Sequence, residues 1–242
     1  MAHNFDRIAT GHYARTAEKN GRFFVASAAD VSKDQSYMLY RVPGEILEKL
    51  LLPMGDIIKK EAKEEGIHRN LVAADREESQ DICFIKNECH ADYIQRRHGM
   101  FPHGEFVNES GEVLGEHRGI IRYTVGQRKG LGVAASSRLF VTKIDTVNNR
   151  IVLSDVAPDS RGFYLKDVVF SGMTEEEALA SVTLKVRVRY SARAVPAVLS
   201  IKNGELFATL SERAGGVVTP GQSAVFYDGG QVALGGIIEK AV

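Results

Sequence analysis

The sequence predicts an α/β segment over residues 1–70, a weakly periodic middle segment over 71–136, and a C-terminal antiparallel β-barrel over 137–242. Three observations carry that reading. Strand and helix signals mix in the first 70 residues. From Leu139 onward, short alternating runs recur between turn sequences. The stretch between them has little hydrophobic periodicity. Composition supports a folded chain. Of 242 residues, 44% are hydrophobic, which suffices for a core, and 23 Gly with no Trp favour a turn-rich architecture.

In the first segment, Arg7-Ile8-Ala9-Thr10 is a short apolar run stopped by Gly11. Phe23-Phe24-Val25-Ala26 follows a turn at Asn20-Gly21 and reads as a strand. Apolar residues at 46, 47, 50 and 51 have helical spacing across Gly44–Leu51. Asp56 is placed as an N-cap for a helix over 57–65, with Gly66 as its stop. The pattern is too short for a whole parallel sheet and reads as the end of one.

The middle segment holds both cysteines, Cys83 and Cys89, and four of the seven histidines. Residues 121–138 are rich in Gly and Arg. The third segment opens with a hairpin, Leu139–Ile144 and Arg150–Leu153 across Asn148-Asn149. Residues 182–190 alternate strictly, with Val182, Leu184, Val186 and Val188 on one face and Lys185, Arg187 and Arg189 on the other. Further hairpins turn at Asn203-Gly204 and at Asp228-Gly229-Gly230. Such spacing predicts a small barrel of about 100 residues.

Charge and cysteine usage exclude several classes. With 31 Lys+Arg against 31 Asp+Glu, the chain is not a uniformly basic nucleic-acid binder. No run reaches the 18 or so apolar residues of a membrane helix, and the polar start lacks a secretory h-region, so no membrane association is expected. Two cysteines cannot make a disulfide framework and predict a cytoplasmic, reducing environment. The spacing Cys-x5-Cys-His-x7-His-x4-His matches no paired-ligand zinc pattern, so no metal site is expected.

Three features could carry chemistry. Cys83, in Ser79-Gln80-Asp81-Ile82-Cys83-Phe84-Ile85, is either a buried thiol or a thiolate nucleophile that needs a partner to lower its pKa. The loop Gly126-Gln127-Arg128-Lys129-Gly130-Leu131-Gly132 is not a Walker loop. It is either a surface turn or a phosphate-holding loop using N–H groups with Arg128 and Lys129. Two stretches carry cations without acids: six over 117–143 and five over 181–202. Beside Tyr190, the second set suits an RNA backbone with a stacked base, against the alternative of an ordinary solvated strand face. The two stretches are expected to form one RNA-facing surface.

Taken together, Ile8–Arg15 (Ile-Ala-Thr-Gly-His-Tyr-Ala-Arg), Lys33–Leu39, Ser79–Ile85, Tyr123–Gly132 and Pro220–Tyr227 resemble, in order and spacing, the tRNA-specific 2-thiouridylases, which place sulfur on the wobble uridine. The resemblance implies an ATP-pyrophosphatase (adenine nucleotide alpha hydrolase-like) α/β domain, a small central domain and a C-terminal β-barrel. It implies that ATP, with Mg as its counter-ion, adenylates the uridine at C2, that a cysteine persulfide supplies sulfur and that a second cysteine assists release. By position, Cys83 resembles the persulfide cysteine and Gly11 an ATP-contacting residue. His12, Lys33, Asp34, Gln35, Arg189, Tyr190 and Gln222 resemble tRNA contacts. The implied partners are tRNA and a sulfur-relay persulfide donor protein.

Two departures accompany the resemblance. The family's Ser-Gly-Gly-x-Asp-Ser pyrophosphate loop does not occur in these 242 residues, and no cysteine precedes Cys83. The expectation is therefore the C-terminal two-thirds of such an enzyme, inactive by itself. The rival reading is a non-catalytic RNA-binding module that keeps the barrel and the basic loops.

Overall fold

The computed structural model describes residues 5–72, 85, 88–135 and 137–242. The chain divides into two compact units, one made of residues 1–76 and 159–242, the other of residues 77–158. Cys83 and most of its motif lie outside the described residues.

The first unit begins with β1 (Ile8–Ala9) and a hairpin of β2 (Ala14–Lys19) and β3 (Arg22–Ser27). Its turn is Asn20-Gly21, with φ of 54° and 74°. Two successive left-handed residues give the twist that paired strands require. Helices α1 (Ser36–Leu39) and α2 (Gly44–Leu47) follow, then β4 (Leu50–Leu51) and α3 (Lys59–His68). The helical spacing expected through Leu51 ends at Leu47, because Leu50 and Leu51 pair in parallel with Ile8 and Ala9.

Helix α3 corrects two local expectations. Asp56 does not cap it. Its carboxylate instead accepts from Arg15 Nε at 2.6 Å, while Asp30 Oδ2 accepts the Lys59 N–H at 3.0 Å. A cap from 29 residues away satisfies the same orphan donor that a local Asp would. Nor does Gly66 stop the helix. It is buried within it, and Asn70, at φ 54°, is the left-handed residue past its end.

The second unit contains α4 (His90–His98), β5 (Gly104–Val107), β6 (Val113–His117), β7 (Phe140–Asp145) and β8 (Arg150–Ser154). Its sheet has the order β6-β5-β8-β7, with β5 parallel to β8 and the other neighbours antiparallel. Phe106, Leu131, Val141, Ile151 and Leu153 form its core. The hairpin at 139–153 forms as expected, but it belongs here: Phe106 pairs with Ile151, so these strands complete the middle sheet rather than the barrel. The division therefore falls at residues 158/159, not at 136/137.

The rest of the first unit is β9 (Gly162–Phe170), α5 (Glu175–Ala180), β10 (Lys185–Arg187), β11 (Val195–Lys202), β12 (Glu205–Leu210), β13 (Ser223–Asp228) and β14 (Gln231–Ala241). The strand order β13-β10-β11-β12-β9-β14 closes through β14–β13, giving a six-stranded antiparallel barrel without a free edge. Leu184, Val186 and Val188 point into its core, as the alternation predicts, beside Phe163, Phe226 and Leu234, whereas Val182, expected on the same face, precedes β10 and is exposed. Helix α5 is held by a reciprocal box: Glu177 N–H donates to Thr174 Oγ1, and Thr174 N–H to the Glu177 carboxylate. Gln231 of β14 pairs with Ala26 of β3, which ties the N-terminal hairpin to the barrel.

Candidate nucleic-acid interface

Most of the residues singled out by sequence meet in the first unit. Thr10 Oγ1 lies 2.9 Å from His12 Nδ1, which orients the imidazole beside exposed Gly11. The next residue joins this segment to the Lys33–Gln35 turn by two bonds. Tyr13 N–H donates to Gln35 Oε1 at 2.9 Å, and Gln35 N–H donates to Tyr13 O at 2.7 Å.

Helix α1 then carries the contact chain onto the barrel. The Tyr37 ring packs on that of Tyr190 with centroids 6.0 Å apart, and its hydroxyl donates to Ser223 O at 2.8 Å. Tyr40 Oη lies 3.1 Å from Ser223 Oγ. Close approach of α1 to β14 requires Gly235, since a Cβ there would sit 2.3 Å from the Tyr40 ring. Arg189 Nη2 donates to Thr219 Oγ1 at 2.6 Å, and Thr219 O accepts the N–H of exposed Gln222. Tyr190 keeps 40% of its surface exposed, enough of a ring to offer a face. His12, Gln35, Arg189, Tyr190 and Gln222 are thus joined through Tyr13, Tyr37, Ser223 and Thr219.

Asp34 has a different place. It is 3% exposed, and its carboxylate accepts four bonds: from Ala28 N–H, Ser36 N–H, Ser36 Oγ and Arg187 Nη1. The Arg187 guanidinium also lies over the Tyr227 ring at 5.3 Å, and Tyr227 Oη is 3.2 Å from Ser36 Oγ. Asp34, Ser36, Tyr227 and Arg187 close a ring. A carboxylate so engaged has no face left for a phosphate or base. Its side chain holds the Lys33–Gln35 turn on the barrel. Burial pushes the phenols of Tyr37 and Tyr227 up to about 12, so both remain neutral hydrogen-bonding groups.

The basic stretches are less uniform than their sequence implies. In 181–202, Arg187 is taken up by Asp34 and Arg193 by Glu212. In 117–143, Arg122 pairs with Asp92. Arg128 and Lys129 are exposed and have no ion-pair partner among the described residues. The two stretches lie in different compact units.

The residues near Gly11 do not by themselves make a triphosphate site. Neighbouring N–H groups are spent inside the fold: Thr10 on Leu51 O, Tyr13 on Gln35, Ala14 on His12 O. Among the described residues there, the adjacent N–H groups of Gly11 and His12 are left without an acceptor, which is too few to cradle a triphosphate. Cys89, exposed at the start of α4, donates to Asp92 Oδ2 at 3.1 Å and accepts from Arg122 at 3.6 Å.

Similarity to known proteins falls in three successive segments. Residues 1–87 match the family description "tRNA methyl transferase HUP domain", residues 91–155 "tRNA methyl transferase PRC-barrel domain", and residues 160–238 "Aminomethyltransferase beta-barrel domain". The break between the last two coincides with the unit boundary at 158/159. The chain is 37% identical over 239 residues to tRNA-specific 2-thiouridylase MnmA of Clostridium acetobutylicum, covering 97% of this chain and 66% of that protein. It is 38% identical to the protein of the same name from Clostridioides difficile, with 98% and 66% covered. With that of Picosynechococcus sp. it shares 40% identity over 247 residues, with 97% and 67% covered. The chain thus spans about two thirds of the length of these relatives, and it carries a HUP-type segment, a PRC-barrel-type middle domain and a closed β-barrel in that order. It belongs to the tRNA-specific 2-thiouridylase family.

Proposed function

We propose that this chain serves the ATP-dependent 2-thiolation of the wobble uridine of tRNA, in the cytoplasm. In this reading the O2 oxygen on C2 is adenylated by ATP with loss of pyrophosphate, the outer sulfur of the Cys83 persulfide attacks C2 and displaces AMP, and a second cysteine cleaves the S–S bond, freeing the 2-thiouridine and leaving a disulfide with Cys83. A dithiol reductant opens that disulfide before a sulfur-relay protein recharges Cys83. Adenylation is needed because a carbonyl oxygen leaves poorly until it is part of a phosphate ester. The relatives' names support the reaction class. The observation that carries the tRNA contact is the chain of bonds joining His12, Gln35, Arg189, Tyr190 and Gln222.

In this reading Tyr190 offers a stacking face, Arg189, Lys33 and His12 face phosphates, and Gln222 and Gln35 donate or accept at polar edges. Asp34 acts through Arg187 and the turn it holds, not by touching RNA. Gly11 lines the approach to ATP. Arg128 and Lys129 add contacts from the second unit.

The test is incubation of the 242-residue chain with unmodified tRNA, labelled ATP and sulfide. Salt-sensitive tRNA binding is expected, and its absence overturns the reading. These 242 residues hold no Ser-Gly-Gly-x-Asp-Ser, so no tRNA-dependent pyrophosphate release is expected from this polypeptide alone. Without such donors, charge on the transferred phosphate goes unstabilised by on the order of several kcal/mol. Detectable 2-thiouridine would show a complete active site within it.

A further inference from the structure

We infer that the recess beside the Gly126–Gly132 loop is a subsite for one phosphodiester of an RNA backbone. Arg128 and Arg138 are its cations, and the backbone N–H groups of residues 130–133 its neutral donors. The inference rests on the tRNA-binding reading above and names where, in the second unit, the backbone is gripped.

The loop is built to hold one shape. Gly126 N–H donates to Val141 O at 2.7 Å, and Val141 N–H donates to Gln127 O at 2.9 Å, which staples the loop to β7. The Gln127 side chain braces the interior: Oε1 accepts the Thr124 N–H at 3.1 Å, and Nε2 donates to Lys129 O at 3.0 Å. Leu131 is only 9% exposed and is sunk in the core with Phe106 and Ile151. Gly130 and Gly132 flank it at φ 74° and 70°, conformations that a side chain would strain. The backbone therefore turns sharply on either side of an anchored leucine.

The recess so formed has a volume of about 290 Å³ and is lined by Arg128, Gly130, Leu131, Gly132, Val133 and Arg138. At about 30 Å³ per water, it holds several water molecules that a phosphate would displace. None of the N–H groups of residues 129–133 donates a hydrogen bond within the described residues. Neither Arg128 nor Arg138 has an ion-pair partner there, in contrast to Arg122, which Asp92 neutralises. The neighbouring recess of about 440 Å³ is lined by Glu109 and Asp155 and would repel an anion. Unspent cations with unspent backbone donors in one concavity suit a phosphate. A phosphodiester held there sets the register of the backbone.

The experiment has two readouts. In the first, binding of unmodified tRNA is measured across salt for the wild type, Arg128→Gln, Arg138→Gln and, as an exposed-charge control outside both basic stretches, Lys63→Gln. Each recess variant is expected to lower the slope of log Kd against log salt by about 0.7–0.9, with the control unchanged. In the second, amide NMR follows Gly130 and Gly132 on addition of a five-nucleotide single-stranded RNA. Both signals are expected to shift in the wild type and to stay put in the Arg128/Arg138 double variant. If the wild type binds tRNA but both slopes are unchanged, the recess is overturned and the tRNA reading stands. If it binds no tRNA yet the two amides shift, the tRNA reading falls and the subsite stands. With neither binding nor shifts, both fall.

Discussion

Arg187 and Asp34 are 153 residues apart in sequence, yet Arg187 Nη1 lies 3.1 Å from Asp34 Oδ2 in the interior of the first unit. The carboxylate has exchanged water for four protein donors, and the guanidinium is the only charged one among them. The pair fastens the Lys33–Gln35 turn to a barrel strand. Ser36 and Tyr227 bond across it.

Removing one partner should therefore cost much more than removing both. Arg187→Met leaves a buried carboxylate without its counter-charge and is expected to destabilise by about 3–5 kcal/mol. Combined with Asp34→Asn, a large part of that loss should be recovered. Urea unfolding of the two single variants and the double variant gives the coupling energy. A loss below about 1 kcal/mol in Arg187→Met would mean that the turn stands without the pair.

His117 predicts an acid limit for the second unit. It is 0% exposed, with Gly119 N–H donating to Nδ1 at 3.2 Å and Nε2 facing Asn149 O at 3.1 Å, the pattern of a neutral imidazole. Burial pushes its pKa below the usual 6.5. The unfolded chain then takes up a proton near pH 6.5 that the folded unit refuses. Stability is full above about pH 6.5 and falls as pH drops through it, by at most about 1.4 kcal/mol per pH unit until the folded site protonates. Urea midpoints at pH 7.5 and pH 5.5 should differ, and His117→Gln should flatten the difference. Equal pH dependence in both proteins would remove His117 as the source.

Cys83, not Cys89, is expected to be the fast-reacting thiol. Cys83 sits in the Ser79–Ile85 segment that resembles the family's persulfide motif, whereas Cys89 is engaged with its neighbours, donating its S–H to Asp92 Oδ2 and accepting from Arg122. Iodoacetamide labelling at pH 7 of Cys83→Ser and Cys89→Ser should show the fast phase lost only in Cys83→Ser. Loss only in Cys89→Ser would reverse the assignment.

The barrel hairpins were legible because their turns announce themselves. Asn203-Gly204 and Gly229-Gly230 adopt the positive φ that their residue types favour, and alternating residues such as Leu184 and Val186 point inward. Strand β9 was not legible. Its burial does not alternate, since it pairs on both sides and meets β14 through register shifts. Helices α4 and α5 were missed as well, although Thr174 and Glu177 form a capping pair that could have been read locally.

What escaped the sequence elsewhere was long-range choice. The 139–153 hairpin has the same local pattern whichever sheet receives it, and only the pairing of Phe106 with Ile151 assigns it. Asp30 outcompetes Asp56 at α3 because the chain folds back between them. Likewise, nothing local distinguishes Arg187, neutralised by a distant carboxylate, from Arg128, which is not. Which of the charges in these motifs are spent depends on pairings that span 19 residues for Arg193 with Glu212, 30 for Arg122 with Asp92 and 153 for Arg187 with Asp34.

The interrupted first unit also imposes an order on synthesis. Residues 77–158 emerge from the ribosome complete and can fold at once, while the β2–β3 hairpin must wait for β14, 205 residues beyond Ala26, before Gln231 can pair with it. At about 5–20 residues per second, that delay is roughly 10–40 s. Throughout it, Tyr37, Tyr40 and Leu47 lack the Val225 and Val232 surface that later covers them. The nascent chain therefore carries an uncovered aromatic patch for most of its translation, and it is there that a ribosome-associated chaperone would be needed.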